Sequence, residues 1–309
     1  MSKKEASVAI VLLNWNGFNH TIKCIESLRD ITYNNAEVVL VDNGSENSEV
    51  EKLREIAGIK LIENDKNYGF TGGNNIGLKY AFEHGYDYLM MLNNDTIVEP
   101  GFLEPLINGF DEGTGAVQPK IYTMDPPDTI WNAGGKFNKW LGLTKTIGSG
   151  AKDNPSFDVQ MEVDWITGCA MVFPARMISE IGYLDDNFFI LFEDSDWSLR
   201  CRTKGYKLKY VPQSRIYHFE SATAVSRVKG KEGFRSPFRQ YINIRNHLYF
   251  LRKNLPLPYW PTAFIYQIYK ISGFLVYYLL RGRWKKFRFT LRGVKDGFSP
   301  YKEIDFNNG

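Results

Sequence analysis

The chain has 309 residues, 43% of them hydrophobic, 15% aromatic and 24% charged. That composition supports a packed core and excludes a disordered or fibrous chain, and the length fits one large α/β domain or a domain with an appendage. The net charge of +3 conceals a division. Residues 227–309 carry 17 Lys and Arg against four acids, whereas the preceding 226 residues carry 21 basic and 31 acidic side chains. An acidic body with a basic tail implies two functional regions.

In chain order, VAIVLLN at 8–14 reads as a strand, its apolar run too short for a secretory signal. Residues 18–29 follow as a helix, with Ile22, Ile25 and Leu28 at helical spacing. AEVVLVD (36–42) and GIKLIEN (58–64) are further strands, GLKYAFEHG (77–85) is a helix closed by Gly85, and YDYLMMLNND (86–95) is a fourth strand. This alternation predicts a mainly parallel sheet flanked by helices, in which ligands bind beyond the carboxyl ends of the strands. Those ends read NWNG, VDNGSEN, ENDKNYGF and NNDT, all polar, and they should lie along one edge. Residues 121–162 are expected to be loops and short strands extending the sheet. VDWITGCAMVF (163–173) reads as one strand, 178–205 as two helices around an acidic loop, and YKLKYVP (206–212) as another strand. Cys24, Cys169 and Cys201 are too far apart for a C-x-x-C pair, and an odd, sparse count favours a reducing compartment.

Two acidic positions invite chemistry. Asp95 leaves the end of a buried strand, where a carboxylate suits a divalent cation bridging a diphosphate, or else caps the next helix through an Asx turn. The small-residue stretch around Gly72-Gly73-Asn74-Asn75 opens a helix where backbone N–H groups could meet phosphate. There is neither a G-x-G-x-x-G fingerprint nor a Walker loop. Glu193-Asp194-Ser195-Asp196 follows an apolar run, and partial burial and mutual repulsion would raise at least one carboxyl pKa toward that of a general base. The same acids could cap the helix that follows, with Asp196 capping and Asp194 acting. His218 is either a metal ligand beside Asp95 or a satisfied structural residue.

The tail has its own signature. Residues 262–280 are nearly all apolar apart from Gln267, Lys270, Ser272 and Gly273, and Gln267, Lys270, Gly273 and Tyr277 form a narrow polar stripe on a helix. With no 18 consecutive apolar residues a clean transmembrane span is not expected. Arg281, Arg283, Lys285, Lys286, Arg288, Arg292 and Lys295 follow, interleaved with aromatics. This suits a helix at an anionic membrane surface; packing against the body or a second copy is the alternative. Nucleic acid is not an expected partner, since no recognition motif accompanies the basic residues. Arg245-Asn246 lies between body and tail and could contact an acceptor diphosphate, the alternative being an ordinary surface arginine.

In this order, VLLNWNG, VVLVDNGS, NYGFTGGNNIG, MLNNDT, DWITGCAM and FFILFEDSDWSLR resemble glycosyltransferase family 2, in its rhamnosyltransferase-like branch, over roughly residues 6–225. The resemblance implies a GT-A fold, Rossmann-like with a mainly parallel sheet, in residues 1–225, with a nucleotide-sugar-binding half (1–120) and an acceptor-binding half (121–225). A helical membrane-associating region would occupy 226–309. It implies inverting transfer from a nucleotide-diphosphate sugar with Mg²⁺ or Mn²⁺. By position, Asp194 is the catalytic base. Asn14, Asp42, Asn43, Gly69, Asn74, Asn75, Asn93, Asn94 and Asp95 face the donor, and Trp165, Gly168, Glu193 and Arg245 the acceptor. Asp95 and His218 are the metal ligands, with Asn93 standing where the family carries the first acid of its D-x-D motif. The donor expected is dTDP-rhamnose, with a UDP-sugar as runner-up, and the acceptor a lipid-linked saccharide at the cytoplasmic face of the membrane. A catalytically silent assembly partner is the competing class, and a homo-oligomer remains open.

Overall fold

The structure is a computed structural model that describes residues 5–219, 232 and 236–299. The expected boundary at 225/226 lies outside the described residues, as do Arg227, Lys229, Lys231, Arg235 and Lys302 of the basic tail.

Strand β1 (Val8–Asn14) pairs in parallel with β2 (Ala36–Asp42) on one side and β4 (Tyr88–Asn93) on the other, and β2 pairs in parallel with β3 (Lys60–Glu63). Parallel strands covered on both faces read as continuous apolar runs, as VAIVLLN does. Helix α1 (Phe18–Arg29) buries Thr21, Cys24, Ile25 and Leu28, the i, i+3, i+4, i+7 face of an amphipathic helix. Each such aliphatic side chain contributes roughly 1.5–3 kcal/mol when fully buried. Helix α2 (Asn47–Arg54) is not legible in the sequence; it is polar and buries only Leu53. Helix α3 (Gly69–Glu83) begins eight residues before its expected start. Its glycines look like a loop but permit close approach to the sheet: a Cβ on Gly73 would sit 2.3 Å from Leu13, and one on Gly77 2.4 Å from Val11.

The second half makes the sheet mixed. After β5 (Thr96–Val98) and α4 (Leu103–Asn108), the long strand β6 (Thr114–Thr123) enters the core, pairs with β7 (Ile130–Asn132), and leads to the hairpin of β8 (Gly135–Asn138) and β9 (Leu143–Thr146). The stretch expected as one strand at 163–173 is two. β10 (Met161–Val163) lies at the sheet edge, and β11 (Ala170–Pro174) runs antiparallel to β4 in its centre, with 164–169 crossing between them. Helices α5 (Arg176–Ile181) and α6 (Glu193–Thr203) follow, then β12 (Lys207–His218). β12 runs six residues past its expected end, through an irregularity between Val211 and Arg215. The main sheet has ten strands in the order β10-β12-β6-β11-β4-β1-β2-β3, with β5 on β12 and β7 on β6.

Three further α-helices follow among the described residues: α7 (Pro237–Asn254), α8 (Trp260–Leu280) and α9 (Trp284–Phe298). α9 lies tightly on α7 through glycines. A Cβ on Gly293 would come within 2.9 Å of the Tyr241 carbonyl, and one on Gly297 within 2.8 Å of Leu248.

Candidate active site

The strand ends do converge. Asn14 stands opposite Asp42, Leu13 opposite Asn93, and Asp42 opposite Glu63, so the four polar exits share one edge of the sheet. The Asn14 amide donates to Oδ1 of Asp42 (2.8 Å), to Ser45 Oγ (3.1 Å) and to Glu49 Oε1 (2.9 Å). Asp42 also accepts from the Ser45 backbone N–H at 3.0 Å and from its hydroxyl at 2.6 Å. Beside this network lies a cleft of about 490 Å³ lined by Asp42, Ser45, Arg54, Glu63, Asn64 and Asp65. Asn43 ties the next turns together, donating to Asn67 Oδ1 and the Gly69 carbonyl and accepting from Asn64 and the Tyr68 N–H. Gly69 itself has φ +76°, and a Cβ there would meet the Phe189 ring at 2.4 Å.

Not every asparagine faces this cleft. Asn74 is buried and donates to the Phe70 carbonyl one helical turn back (2.8 Å). Asn75 donates to the Leu184 carbonyl and Asp186, and accepts from the Leu184 N–H. Both amides therefore hold protein to protein, where the sequence suggested donor contacts. Asn94 donates to the Thr21 hydroxyl at 2.7 Å, and that hydroxyl donates to Asn14, which links the β4 exit to the β1 exit. Thr21, Ser45, Glu49 and Asn67 are members of this network that sequence reasoning does not single out; of the four, Ser45 ends the VVLVDNGS stretch and Asn67 opens the NYGFTGGNNIG stretch of the family resemblance.

The second centre gathers around Cys169. Asp95 Oδ1 lies 3.0 Å from His218 Nε2, both side chains buried, because β12 pairs antiparallel with β5 and sets His218 opposite Thr96. The Asn93 amide is 3.5 Å from the same ring nitrogen, and Trp131 meets the imidazole edge to face. The thiol of Cys169 sits among His218, Asp95 and Asp194, and its carbonyl accepts from the Asn93 N–H at 2.8 Å. A carboxylate oxygen and an imidazole nitrogen 3.0 Å apart are donors of the kind a divalent cation takes, and among the described residues no group of three or more His, Cys, Asp and Glu is placed to hold a metal ion.

Asp194 projects from the first turn of α6. Its Oδ2 accepts from the Gly168 N–H at 3.0 Å and its Oδ1 from the Ser195 N–H at 2.6 Å. Burial raises its pKa against the pull of these hydrogen bonds, which brings a carboxylate nearer to proton exchange at neutral pH. Burial, then the charges of Asp194 and Asp196, push Glu193 well above the ordinary carboxyl range, and its Oε2 has no hydrogen-bond partner. Both neighbouring carboxyls are thus raised, in each case first of all by burial. Gly168 is needed close at hand: a Cβ there would stand 3.2 Å from Phe70 and 3.6 Å from Asp194 Cβ.

Two sequence expectations are corrected here, those for Asp196 and Arg245. Asp196 does not cap α6. That position belongs to Phe192 in a left-handed conformation, while Asp196 is wholly buried and accepts from Arg200, Lys253 and Asn254. Trp165 is buried against Gly135, its indole N–H donating to the Lys136 carbonyl. Arg245 is neither a surface arginine nor open to a diphosphate. It is buried on α7 with Nη1 donating to the Asn187 carbonyl and to Asn246 Oδ1, because it docks the helix onto the loop before α6.

With this geometry established, comparison with known proteins identifies the chain. The pattern of glycosyl transferase family 2 matches residues 7–167, more than half the protein, and that of glycosyl transferase family group 2 matches residues 88–286. The chain belongs to glycosyl transferase family 2. It is 25% identical over 238 residues to the dTDP-rhamnosyl transferase RfbF of Shigella flexneri, covering 77% of this chain and 78% of that one, which supports the rhamnosyltransferase-like branch. It is likewise 25% identical over 224 residues to the low-salt glycan biosynthesis hexosyltransferase Agl10 of Haloferax volcanii, covering 71% and 67%. Among solved structures, GalNAc-T7 with UDP, GalNAc and Mn²⁺ superposes with a TM-score of 0.62 at 19% identity, over 81% of this chain and 48% of that longer one. The mannosyltransferase PcManGT of Pyrobaculum calidifontis, with GDP-Man and Mn²⁺, superposes at 0.56 and 13% identity, over 96% and 88%. The family 2 fold is therefore GT-A as expected, followed by a helical C-terminal region, and the protein is a glycosyltransferase that uses a nucleotide-sugar donor.

Proposed function

We propose that this family 2 enzyme transfers a hexose with inversion, favouring rhamnose from dTDP-rhamnose over a UDP-sugar, to a hydroxyl of a lipid-linked saccharide during surface polysaccharide synthesis. The observation that carries this reading is the stretch Gly168-Cys169, where a buried carboxylate (Asp194) accepts from the Gly168 N–H and a carboxylate–imidazole pair (Asp95, His218) acts on the neighbouring Cys169 thiol. Asp194 takes the proton of the acceptor hydroxyl as its oxygen bonds to the anomeric carbon, while the bond to the diphosphate breaks and its electron pair leaves with the nucleoside diphosphate. One base acting on one face needs no covalent intermediate, so configuration inverts. Asp95 and His218 would hold Mg²⁺ or Mn²⁺, which when bound neutralises charge on the departing diphosphate. Asn14, Asp42, Asn43 and Asn94 shape the donor side, and Gly168 and Glu193 the acceptor side.

A cytoplasmic enzyme held at the membrane surface fits the tail. The helix from Leu257 through Leu280 is long and apolar enough to cross a membrane, with mean hydropathy 1.3, although uninterrupted apolar runs are short; its tyrosines, Gly273 and Ser272 break the run without adding charge. Its polarity is arranged against a purely aqueous role. Gln267 donates to the Leu141 and Gly142 carbonyls and Lys270 to His247 Nδ1, so the first half of the polar stripe faces the body, whereas Gly273 and Tyr277 are exposed. Ile265, Tyr269 and Leu280 are 68%, 76% and 80% exposed on the other side. Arg281, Lys285, Arg288, Arg292 and Lys295 are exposed nearby, whereas Lys286 turns inward over the Tyr278 ring. A helix lying on an anionic surface is supported by this arrangement, with its polar side held by protein. Incubation with dTDP-rhamnose or UDP-glucose and Mn²⁺, read by nucleoside diphosphate release, tests the catalytic reading; no release with any donor overturns it.

A further inference from the structure

The segment 188–192, which delivers Asp194 to the site, has an unusual backbone. Phe189, Leu191 and Phe192, none of them glycine, have φ of 61°, 73° and 74°. Bulky residues rarely adopt the left-handed region, and they persist there only where surrounding structure over-determines them. The local sequence supplies few of the needed contacts. The Ile190 N–H bonds to the Phe188 carbonyl at 2.7 Å, and the Thr71 N–H at the start of α3 donates to the Phe189 carbonyl at 3.0 Å.

The rest comes from α7. Asn246, fully buried, aims its amide nitrogen at three carbonyls of this segment: Phe188 at 2.8 Å, Ile190 at 2.8 Å and Leu191 at 3.0 Å. Its own oxygen is held by Arg245 Nη1 at 2.7 Å, which fixes the direction of the amide, and the same Nη1 donates to Asn187. One and two helical turns further on, the Tyr249 hydroxyl and Lys253 Nζ bind Asp185 at 2.9 and 2.7 Å. The bonding face of α7 is therefore spent on the loop that ends at the base.

We infer that Asn246 is a positioning residue: its amide, oriented by Arg245, locks the segment 188–192 with its three left-handed residues and so sets the place of the Asp194 carboxylate in the site. The inference rests on the reading of Asp194 as the base. It makes the C-terminal helical region part of the catalytic apparatus, in addition to any membrane role, because a helix distant in sequence fixes the geometry of α6's first turn.

The test uses the full chain and two readouts. Hydrolysis of dTDP-rhamnose and UDP-glucose with Mn²⁺, water serving as acceptor, gives kcat and KM. Hydrogen–deuterium exchange gives the protection of the amides of 188–195. Asn246→Ala is expected to lower kcat on the order of 100-fold, as an ångström-scale misplacement of a reacting group does, with the donor KM changed by less than about threefold because donor binding is untouched. Exchange should quicken at 188–195 and not in β1, β2 or β4. Asn254→Ala, which loosens α7 at Asp196 without touching these carbonyls, is the control. Should Asn246→Ala be recovered only as aggregate, Asn246→Ser carries the same comparison. Unchanged kcat, a parallel loss in donor affinity, or an equal effect from Asn254→Ala overturns the inference. A wild type that turns over no donor overturns the glycosyltransferase reading and the catalytic half of the inference with it; the exchange arm then still decides whether Asn246 holds the loop.

Discussion

The Gly168 N–H donates to Asp194 Oδ2 at 3.0 Å, and Gly168 adjoins Cys169, whose thiol lies beside His218. Two consecutive residues thus join the base to the pair proposed for the cation. The crossing segment 164–169, which the sequence suggested was strand, is free of ladder pairing at Gly168 and can offer its N–H to a side chain instead.

Replacement of Asp194 by Asn keeps the shape and the acceptor oxygen but cannot take a proton. Turnover should fall 10²- to 10⁴-fold, the usual range for a general base, while nucleotide affinity stays within experimental error. Since burial raises the pKa of Asp194, wild-type kcat should decline as pH falls through a value above the ordinary aspartate range. Steady-state donor hydrolysis across pH reads both effects, and a D194N enzyme with wild-type turnover would remove Asp194 from the chemistry.

Glu193 bears on stability. Its folded pKa lies well above its unfolded one, owing first to burial and then to Asp194 and Asp196. Between those two values the folded state binds more protons than the unfolded state, so this group's contribution falls as pH rises through the window. Glu193→Gln removes the ionisable group, and the variant should melt higher than wild type by an amount that grows from acidic to alkaline pH. The gain should be on the order of 1 kcal/mol, the scale of a buried unpaired polar group. Differential scanning calorimetry at several pH values decides it; a pH-independent difference between the two proteins would show that Glu193 does not titrate in this way.

Much of this was readable from residues alone, and the exceptions have physical causes. β1, α1 and β2 announce themselves because local periodicity and burial agree. β6 does not, since Gln118, Pro119 and Lys120 sit inside a fully buried strand, where Lys120 is neutralised by Asp153 and Asp158. α3 hides behind glycines required by its close contact with Leu13 and Val11. The pairing of Asp95 with His218 depends on β5 meeting β12 across 123 positions, a register no local pattern encodes. Asn246 stands out beside Arg245 as a candidate diphosphate contact, but its actual partners are illegible for the same reason, lying 55 to 58 residues back.

As the proposed cation ligands, Asp95 and His218 would make a two-ligand site, and a weak one is expected to depend on the donor for completion. Isothermal titration of dTDP or UDP should give clear binding with Mn²⁺ and much weaker binding after chelation. Asp95→Ala and His218→Ala should each remove the metal-dependent part, leaving the residual affinity from the Asn14–Asp42 side. A metal effect of full size in both variants places the cation elsewhere.

The C-terminal helices carry the last prediction. If the exposed face of α8 and the basic side chains after it meet a membrane, two kinds of change should act differently. Replacing Arg281, Lys285, Arg288 and Arg292 by Gln removes four cations, each contributing about 1 kcal/mol near an anionic surface, so binding to phosphatidylserine-containing vesicles should fall steeply at low salt and little at high salt. Replacing Ile265, Tyr269 and Leu280 by Ser removes apolar contact and should weaken binding at every salt concentration. Neither set touches Gln267, Lys270 or His247, through which α8 is held to the body, so donor hydrolysis in detergent should be preserved. Co-sedimentation with vesicles distinguishes the cases. Wild-type protein that stays in the supernatant, yet shifts to a larger species by analytical ultracentrifugation until the Ser substitutions are made, would instead assign the apolar face to a second copy of the chain.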